Sequence, residues 1–350
     1  MSDNTGILIC DLFPVRGHRF LNTITVEALS NYNLTVCTER DYFDEALFSS
    51  QIKVLHHPKV RSKIQFFKCL RYTLNLIRLL YKNNYSKVLV LTYEIRSFTL
   101  VKLFAGKYLS RIHIMQHYNI DALNRSRVNS LCFNSYSKRV KHIVFQEYIA
   151  KHLIDRRGIP SGRVFWINHP GINFHDYPFS NEKEIVALSA SNSVEKLNEL
   201  ISFEIKEKRL LNAGYSIIIK NQNGLIHERI SSLHYLTGYI PDSNFQLLLQ
   251  KAKWVLILYP DDFVYRESGL ILEALSNNTL VIGYKSCKNL EVYSEVYPNI
   301  CLAVNNVEDL VSTIINYENE LSIIKEDFVK FLTEHSIEMY TKSIQKVFVE

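Results

Sequence analysis

Within eight positions, Arg266, Ser268, Gly269 and Glu273 combine a cation, a capping hydroxyl, a residue without a side chain and a carboxylate. Arg266 stands just ahead of Ser268, and Ser268 precedes the apolar run GLILEALS, so its hydroxyl is placed to cap a helix with Gly269 in the first turn. The N–H groups and positive dipole end of such a helix attract anions, and a diphosphate would satisfy both that end and Arg266. Glu273 falls more than one turn further on, where its carboxylate can accept hydrogen bonds from the hydroxyls of a sugar. The same residue types also describe a solvated loop with a surface Arg–Glu pair. What decides between the two is the set of elements that positions them.

Those elements read as a βαβ unit. WVLIL, beginning at Trp254, is an unbroken apolar run suited to a parallel strand covered on both faces, a polar loop spans Pro260 to Glu267, and a second buried strand runs from Thr279 to Gly283. The same alternation fills the chain. GILICDLF, LTVCTE, IKVLHH, KVLVLTYE, RIHIMQHY and HIVFQ read as strands of a first half, and IVALSAS, YSIIIKN and a strand ending near LTGYIPD as those of a second. Strands alternating with helices predict an α/β fold of doubly wound parallel sheets, with ligands gathered at the strand carboxyl ends. The polar, aperiodic stretch FHDYPFSNEKE is the expected linker, between about Gly171 and Glu184. The expected domains are 1–172 and 173–335, with a helix over 336–350 packing back on the first. Gly17, alone in the turn after the first strand, is not a GxGxxG fingerprint, which disfavours nicotinamide-dependent dehydrogenation.

The bulk properties are those of a globular chain: 350 residues, 47% apolar and 22% charged, enough for two domains with full cores. The beginning, MSDNTGILICDLF, lacks the basic segment of a signal peptide, no apolar run reaches the roughly 18 residues of a membrane span, and six dispersed cysteines form no CxxC pair or disulfide framework. These features predict a cytoplasmic protein with reduced thiols and no bound metal. The charge is split unevenly: residues 1–170 hold 25 Lys and Arg against 11 Asp and Glu, net +14, and the remainder is net −8. Between Glu45 and Glu94 there is no acid, and KVRSKIQFFKCLRYTLNLIRLLYKN reads there as a basic amphipathic helix. Its stripe is Ile64, Phe67, Leu70, Leu74, Ile77 and Leu80, with Lys63, Lys68, Arg71 and Arg78 among them. Such a helix can lie on an anionic membrane. Its stripe can equally pack on the domain's own sheet, with the cations as a solvated face. Nucleic acid is disfavoured as a partner, because no recognised binding motif accompanies the charge and the second half is acidic.

The stretch around Glu273 resembles the signature of GT-B glycosyltransferases, in particular the family 4-like group and bacterial surface-polysaccharide enzymes. In that group an E-x7-E loop and helix, followed by A-[LM]-[AS], hold the nucleotide-sugar donor. The resemblance implies two Rossmann-like domains facing a cleft, and it assigns Glu273 to the ribose. Position 265 is Tyr where the motif has its first Glu; Glu267 is the stand-in to be tested, and Arg266, Ser268 and Gly269 match the R-x-S-G variant of the loop. By position in the family, Lys196 after the loop Ser189–Ser193 is assigned to the diphosphate, Lys220 and Asn221 to the cleft, and Tyr239 and Ile240 to the seat of the base. Each of these is also explained by a turn, core or surface role.

For the acceptor, the resemblance points to the loop Arg16–Gly17–His18 and to His117 after the RIHIM strand, with Asp121 four residues on, where a short helical turn would bring both side chains to one face. Inverting transfer needs an imidazole or carboxylate within reach of the attacking hydroxyl, whereas retaining transfer relies on stabilising the departing diphosphate. A structural hydrogen bond explains a lone His at a strand end equally well. The implied function is transfer of a sugar from a UDP- or GDP-linked donor, without metal or other cofactor. The implied acceptor is a lipid-linked or growing surface polysaccharide at the inner face of the plasma membrane, with the enzyme peripherally bound. A nucleotide-sugar epimerase, a phosphorylase and a non-catalytic GT-B-like partner subunit are the alternatives.

Overall fold

The computed structural model describes residues 6–44, 48–60, 64–171, 179–180, 182–227, 230–318 and 320–349. The chain divides into two compact units. Unit 1 comprises Met1–Pro170 with Ile337–Glu350, and unit 2 comprises Gly171–Ser336. Most of the expected linker lies outside the described residues.

Unit 1 is a seven-stranded parallel sheet. Its strands are β1 (Ile7–Cys10), β2 (Leu34–Thr38), β3 (Lys53–His56), β4 (Lys87–Val90), β5 (Ile112–Met115), β6 (Lys141–Val144) and β7 (Val164–Trp166), in the order 3-2-1-4-5-6-7. β1, β2 and β4 to β6 are apolar and almost wholly buried, as parallel strands covered on both faces must be. The crossovers are α1 (Arg19–Ala28), α2 (Gln65–Lys82), α3 (Ile95–Ala105), α4 (Asn119–Arg125), α5 (Arg127–Tyr136) and α6 (Glu147–Asp155). RVFWINHPG, which alternation alone leaves as an exit segment, supplies the edge strand β7.

Unit 2 repeats the plan with six strands, β8 (Glu184–Ala187), β9 (Ser216–Lys220), β10 (Leu233–Leu236), β11 (Trp254–Ile257), β12 (Leu280–Tyr284) and β13 (Cys301–Val304). Their spatial order is β10-β9-β8-β11-β12-β13, the 3-2-1-4-5-6 order of a Rossmann sheet. Its helices are α7 (Val194–Glu207), α8 (Arg209–Asn212), α9 (Asp242–Lys251), α10 (Gly269–Ser276), α11 (Lys288–Val296), α12 (Val307–Asn316) and α13 (Leu321–Glu334). Gly283 is required by close packing of β12 on β11: a Cβ there would stand 2.0 Å from the Ile257 carbonyl oxygen.

The last helix, α14 (Ile337–Val349), belongs to unit 1 and packs on α1. Tyr340, Ile344, Val347 and Phe348 enter the same apolar cluster as Ile7, Ile9 and Leu21, and the Tyr340 hydroxyl meets Thr25 Oγ1 at 2.6 Å.

Candidate functional site

In unit 2 the strand order reverses between β8 and β11, so the loops at their carboxyl ends, 188–193 and 258–268, flank the switch point where an open parallel sheet offers room for a ligand. The two loops are tied together. Leu258 N donates to Asn192 Oδ1 (3.0 Å), and Ser193 N donates to Leu258 O (2.7 Å). Lys196 Nζ donates to Tyr259 O (2.8 Å), Asp261 Oδ1 (2.6 Å) and Ser286 Oγ (2.8 Å). The sequence-assigned cation is therefore at the switch point and engaged by three protein oxygens, and its hydrogen bond, followed by that of Ser286, holds the Asp261 carboxyl below the usual range. Asn192 Nδ2 and, at the end of β9, Asn221 Oδ1 are buried without a hydrogen-bond partner. Such orphaned groups require an explanation, and a bound ligand is one.

The helix end forms as its residues dictate. Ser268 Oγ accepts from Ile271 N (3.3 Å) and shares a hydrogen bond with the Tyr259 hydroxyl (2.8 Å), while a Cβ on Gly269 would meet open space. The Arg266 guanidinium lies 4.3 Å from the centre of the Phe263 ring. Glu267 is a scaffold side chain: its Oε1 accepts from Asn289 Nδ2 (3.1 Å) and Ser268 N (3.3 Å), which ties it to α11. Glu273 is different. Among the described residues its half-buried carboxylate accepts no hydrogen bond and forms no ion pair, and burial, with the nearby Asp242 carboxylate, pushes it up to about 7. Asp242 in turn accepts from the Tyr239 hydroxyl (3.2 Å), so the turn after β10 and the carboxylate of α10 belong to one neighbourhood. Tyr239 is 80% exposed, Ile240 packs partly against the core, and Lys220 ends β9.

Unit 1 has its own switch point, between β1 and β4. Asp11, immediately after β1, is buried; Thr92 Oγ1 donates to its Oδ1 and Asn22 Nδ2 to its Oδ2 (3.4 Å). Burial outweighs these bonds and raises its carboxyl to about 6. The rings of His18 and His117 approach to 4.1 Å, and Phe145 contacts both His117 (5.6 Å) and His169 (4.8 Å). Burial lowers His18 to about 4 and drives His117 well below its ordinary value, with His18 and His169 adding to the effect. The His18 and His117 rings are therefore neutral at physiological pH, the form that can take a proton, and His117 Nε2 is buried without a partner among the described residues. Asp121 does not join them in the expected way. Helix α4 starts at Asn119, so no helical turn spans 117 to 121, and the buried Asp121 acts electrostatically on His152.

No protein-family model matches the chain, and no curated protein matches it. Solved structures do. A UDP-forming α,α-trehalose-phosphate synthase from Burkholderia vietnamiensis superposes with a TM-score of 0.71 at 9% identity, covering 99% of this chain and 100% of its own. A glycosyltransferase from Rickettsia africae gives 0.65 at 14% identity and 99% coverage of both chains. Arabidopsis thaliana UGT89C1 with UDP-L-rhamnose gives 0.62 at 11% identity, covering 99% of this chain and 98% of its own.

This is the GT-B fold.

Within the GT-B fold, the structure of unit 1 adds to or departs from the sequence reading in further places. Cys10 and Cys37, far apart in sequence, are register partners on β1 and β2 with His57 against them. The stripe on α2 is divided: the helix buries Cys69, Tyr72, Thr73, Leu76, Ile77 and Leu80, while Ile64, Phe67 and Leu74 are exposed, because the inward face follows the 69-72-73-76-80 spacing. Of the four cations assigned to lipid, Lys68 is paired with Glu39 (2.6 Å), Arg71 and Arg78 line an open pocket with Pro58, Leu74 and Asn75, and Lys63 lies outside the described residues. Asp11 and Asn192 were missed. The signal for Asp11 was its place directly after the ILIC strand; the buried Asn192 amide, inside the Ser189–Ser193 loop, had none.

Proposed function

We propose that this chain is a glycosyltransferase that takes a UDP- or GDP-linked sugar in unit 2 and transfers the sugar to a lipid-linked or growing surface-polysaccharide acceptor bound by unit 1. The observation that carries the reading is Glu273: a half-buried carboxylate without a partner among the described residues, one turn inside a capped helix at a Rossmann switch point. A ribose hydroxyl pair would supply the hydrogen bonds it lacks, and the diphosphate would meet Arg266 and the N-terminal N–H groups of α10. UDP-forming and UDP-sugar-bound enzymes among the similar structures support a nucleoside diphosphate as the ligand class. The single second Glu of the E-x7-E pattern supports the family 4-like assignment.

The membrane-facing part rests on unit 1. Its basic charge accompanies exposed apolar side chains on three helices, of which α3 packs on both α2 and α5: Phe67, Leu74 and Tyr81 on α2, Leu103 and Phe104 on α3, and Leu131 on α5. Cations beside apolar side chains suit the interface of an anionic bilayer, each contributing about 1 kcal/mol near the surface. The test joins both parts. Calorimetry with UDP- and GDP-sugars should give saturable binding that Arg266→Ala weakens by about 1.5–3 kcal/mol, the range for charged hydrogen bonds. Flotation with phosphatidylserine vesicles should be salt-sensitive and lost in Arg71→Gln/Arg78→Gln/Phe67→Ser. Absence of nucleotide-sugar binding would refute the donor assignment, and flotation unaffected by that variant would refute the membrane face.

A further inference from the structure

We propose that Cys10, Cys37 and His57 form a binding site for one thiophilic divalent ion of the zinc class, with Asn75 beside the fourth coordination position. In parallel register, Cys10 and Cys37 are paired across β1 and β2, which places both Cβ atoms on one face of the sheet. His57 follows β3, where its N–H donates to Thr38 O (2.8 Å) and prolongs the ladder. One ligand atom from each of the three residues lies within 4.8 Å of the others, and among the described residues this is the group of His, Cys and carboxylate side chains that converges so closely.

The Cys37–His57 edge suits a tetrahedral ion, and Cys10 Sγ stands 3.9 Å from Nε2 of the same ring. Cys37 Sγ is 3.6 Å from His57 Nδ1, close to the edge of about 3.5 Å that Zn–S and Zn–N bonds of about 2.3 and 2.0 Å define at a tetrahedral angle. His57 Nε2 donates to Asp11 O (2.8 Å), so Nδ1 carries the lone pair and the ring is oriented by a carbonyl, as metal-bound imidazoles are. Tyr72 stacks on the imidazole at 4.1 Å and 11°, which fixes the ring plane. Asn75 Nδ2 is 3.2 Å from Nδ1 and 3.5 Å from Cys37 Sγ; turned over, its amide presents an oxygen to the same point. Asn75 also lines the open pocket with Pro58, Arg71, Leu74 and Arg78, which puts the Cys37 sulfur one side chain below the surface.

The site is separate from the donor chemistry of unit 2, and its test does not depend on activity. The full chain, reduced and stripped with a chelator, is titrated with Co²⁺ and then Zn²⁺. The expected result is one Co²⁺ per chain with a sulfur-to-cobalt charge-transfer band and tetrahedral d–d bands, and displacement by one equivalent of Zn²⁺. Cys10→Ser and Cys37→Ser should each abolish the band, Asn75→Ala should weaken Zn²⁺ binding about tenfold, and Cys132→Ser should change nothing. The wild-type Co²⁺ band and its one-to-one stoichiometry decide the matter if a serine variant fails to fold. The proposal is overturned by absence of the band in the wild-type chain, by a band that survives loss of both cysteines, or by isolation of the pair as a Cys10–Cys37 disulfide that excludes the ion.

Discussion

Replacing Glu273 by Gln should stabilise the protein at pH 8 while weakening its hold on a nucleotide sugar. The carboxyl is moved by burial from 4.5 to about 7. A folded-state pKa above the unfolded one means that the native protein binds the proton more tightly, so stability falls as pH rises from the unfolded value through the folded value. At about 1.4 kcal/mol per pH unit, the ionised side chain destabilises the fold by about 3 kcal/mol at pH 8 and by less than about 1 kcal/mol at pH 5. Gln keeps the shape and removes the charge. Urea unfolding of Glu273→Gln and the parent chain at both pH values should show an advantage for the variant at pH 8 that shrinks by roughly 2 kcal/mol at pH 5. Calorimetry at pH 8 should show the opposite ranking for the nucleotide sugar, because an amide accepts the ribose hydrogen bonds less strongly than a carboxylate. Equal stabilities at pH 8, or a difference independent of pH, would refute the claim that this carboxylate is held unpaired. A more stable variant with undiminished binding would leave the burial argument standing and sink the ribose assignment.

Asp261→Asn should free Lys196 from its ion pair and raise nucleotide-sugar affinity several-fold by calorimetry; unchanged affinity would mean that Lys196 never reaches the diphosphate. His117→Ala or His18→Ala should reduce turnover by about 10²-fold with donor affinity preserved. Because burial holds His18 down to about 4, wild-type turnover at saturating donor should stay level from pH 8 to about 5 and decline below that as the ring takes a proton; a decline in that saturated rate centred near 6.5 would argue against a buried base. Tyr340→Phe removes the buried hydrogen bond to Thr25 and should lower unfolding stability by about 1 kcal/mol in urea.

The architecture was legible because parallel strands leave a strong signal: ILIC and WVLI are unbroken apolar runs, and KVLV and IHIM are apolar but for Lys87 and His113. The cap of α10 was legible too, since Ser268 before an apolar run has few other uses. Pairings across strands were not. Cys10 and Cys37 meet only because β1 and β2 are neighbours in one particular register, and no spacing in a single sequence records that. Helical spacing misled in α2, where apolar residues occupy two faces and periodicity alone does not say which face the sheet covers. It misled again at His117 and Asp121, four apart but separated by the start of α4. Glu267 and Glu273 look alike in the sequence. Their difference comes from Asn289, which engages the first and not the second.

Because α14 completes unit 1, the order of synthesis and the order of the fold do not coincide. Every strand of the first sheet is made before unit 2 begins, yet the groove that receives Tyr340, Ile344 and Phe348 stays uncovered until all of unit 2 has been translated. Unit 2 is contiguous and can close on itself first, so the earlier half of the chain is the later one to reach its native state. During that interval the apolar side chains beneath α14, Ile7 and Leu21 among them, are a natural binding surface for a chaperone.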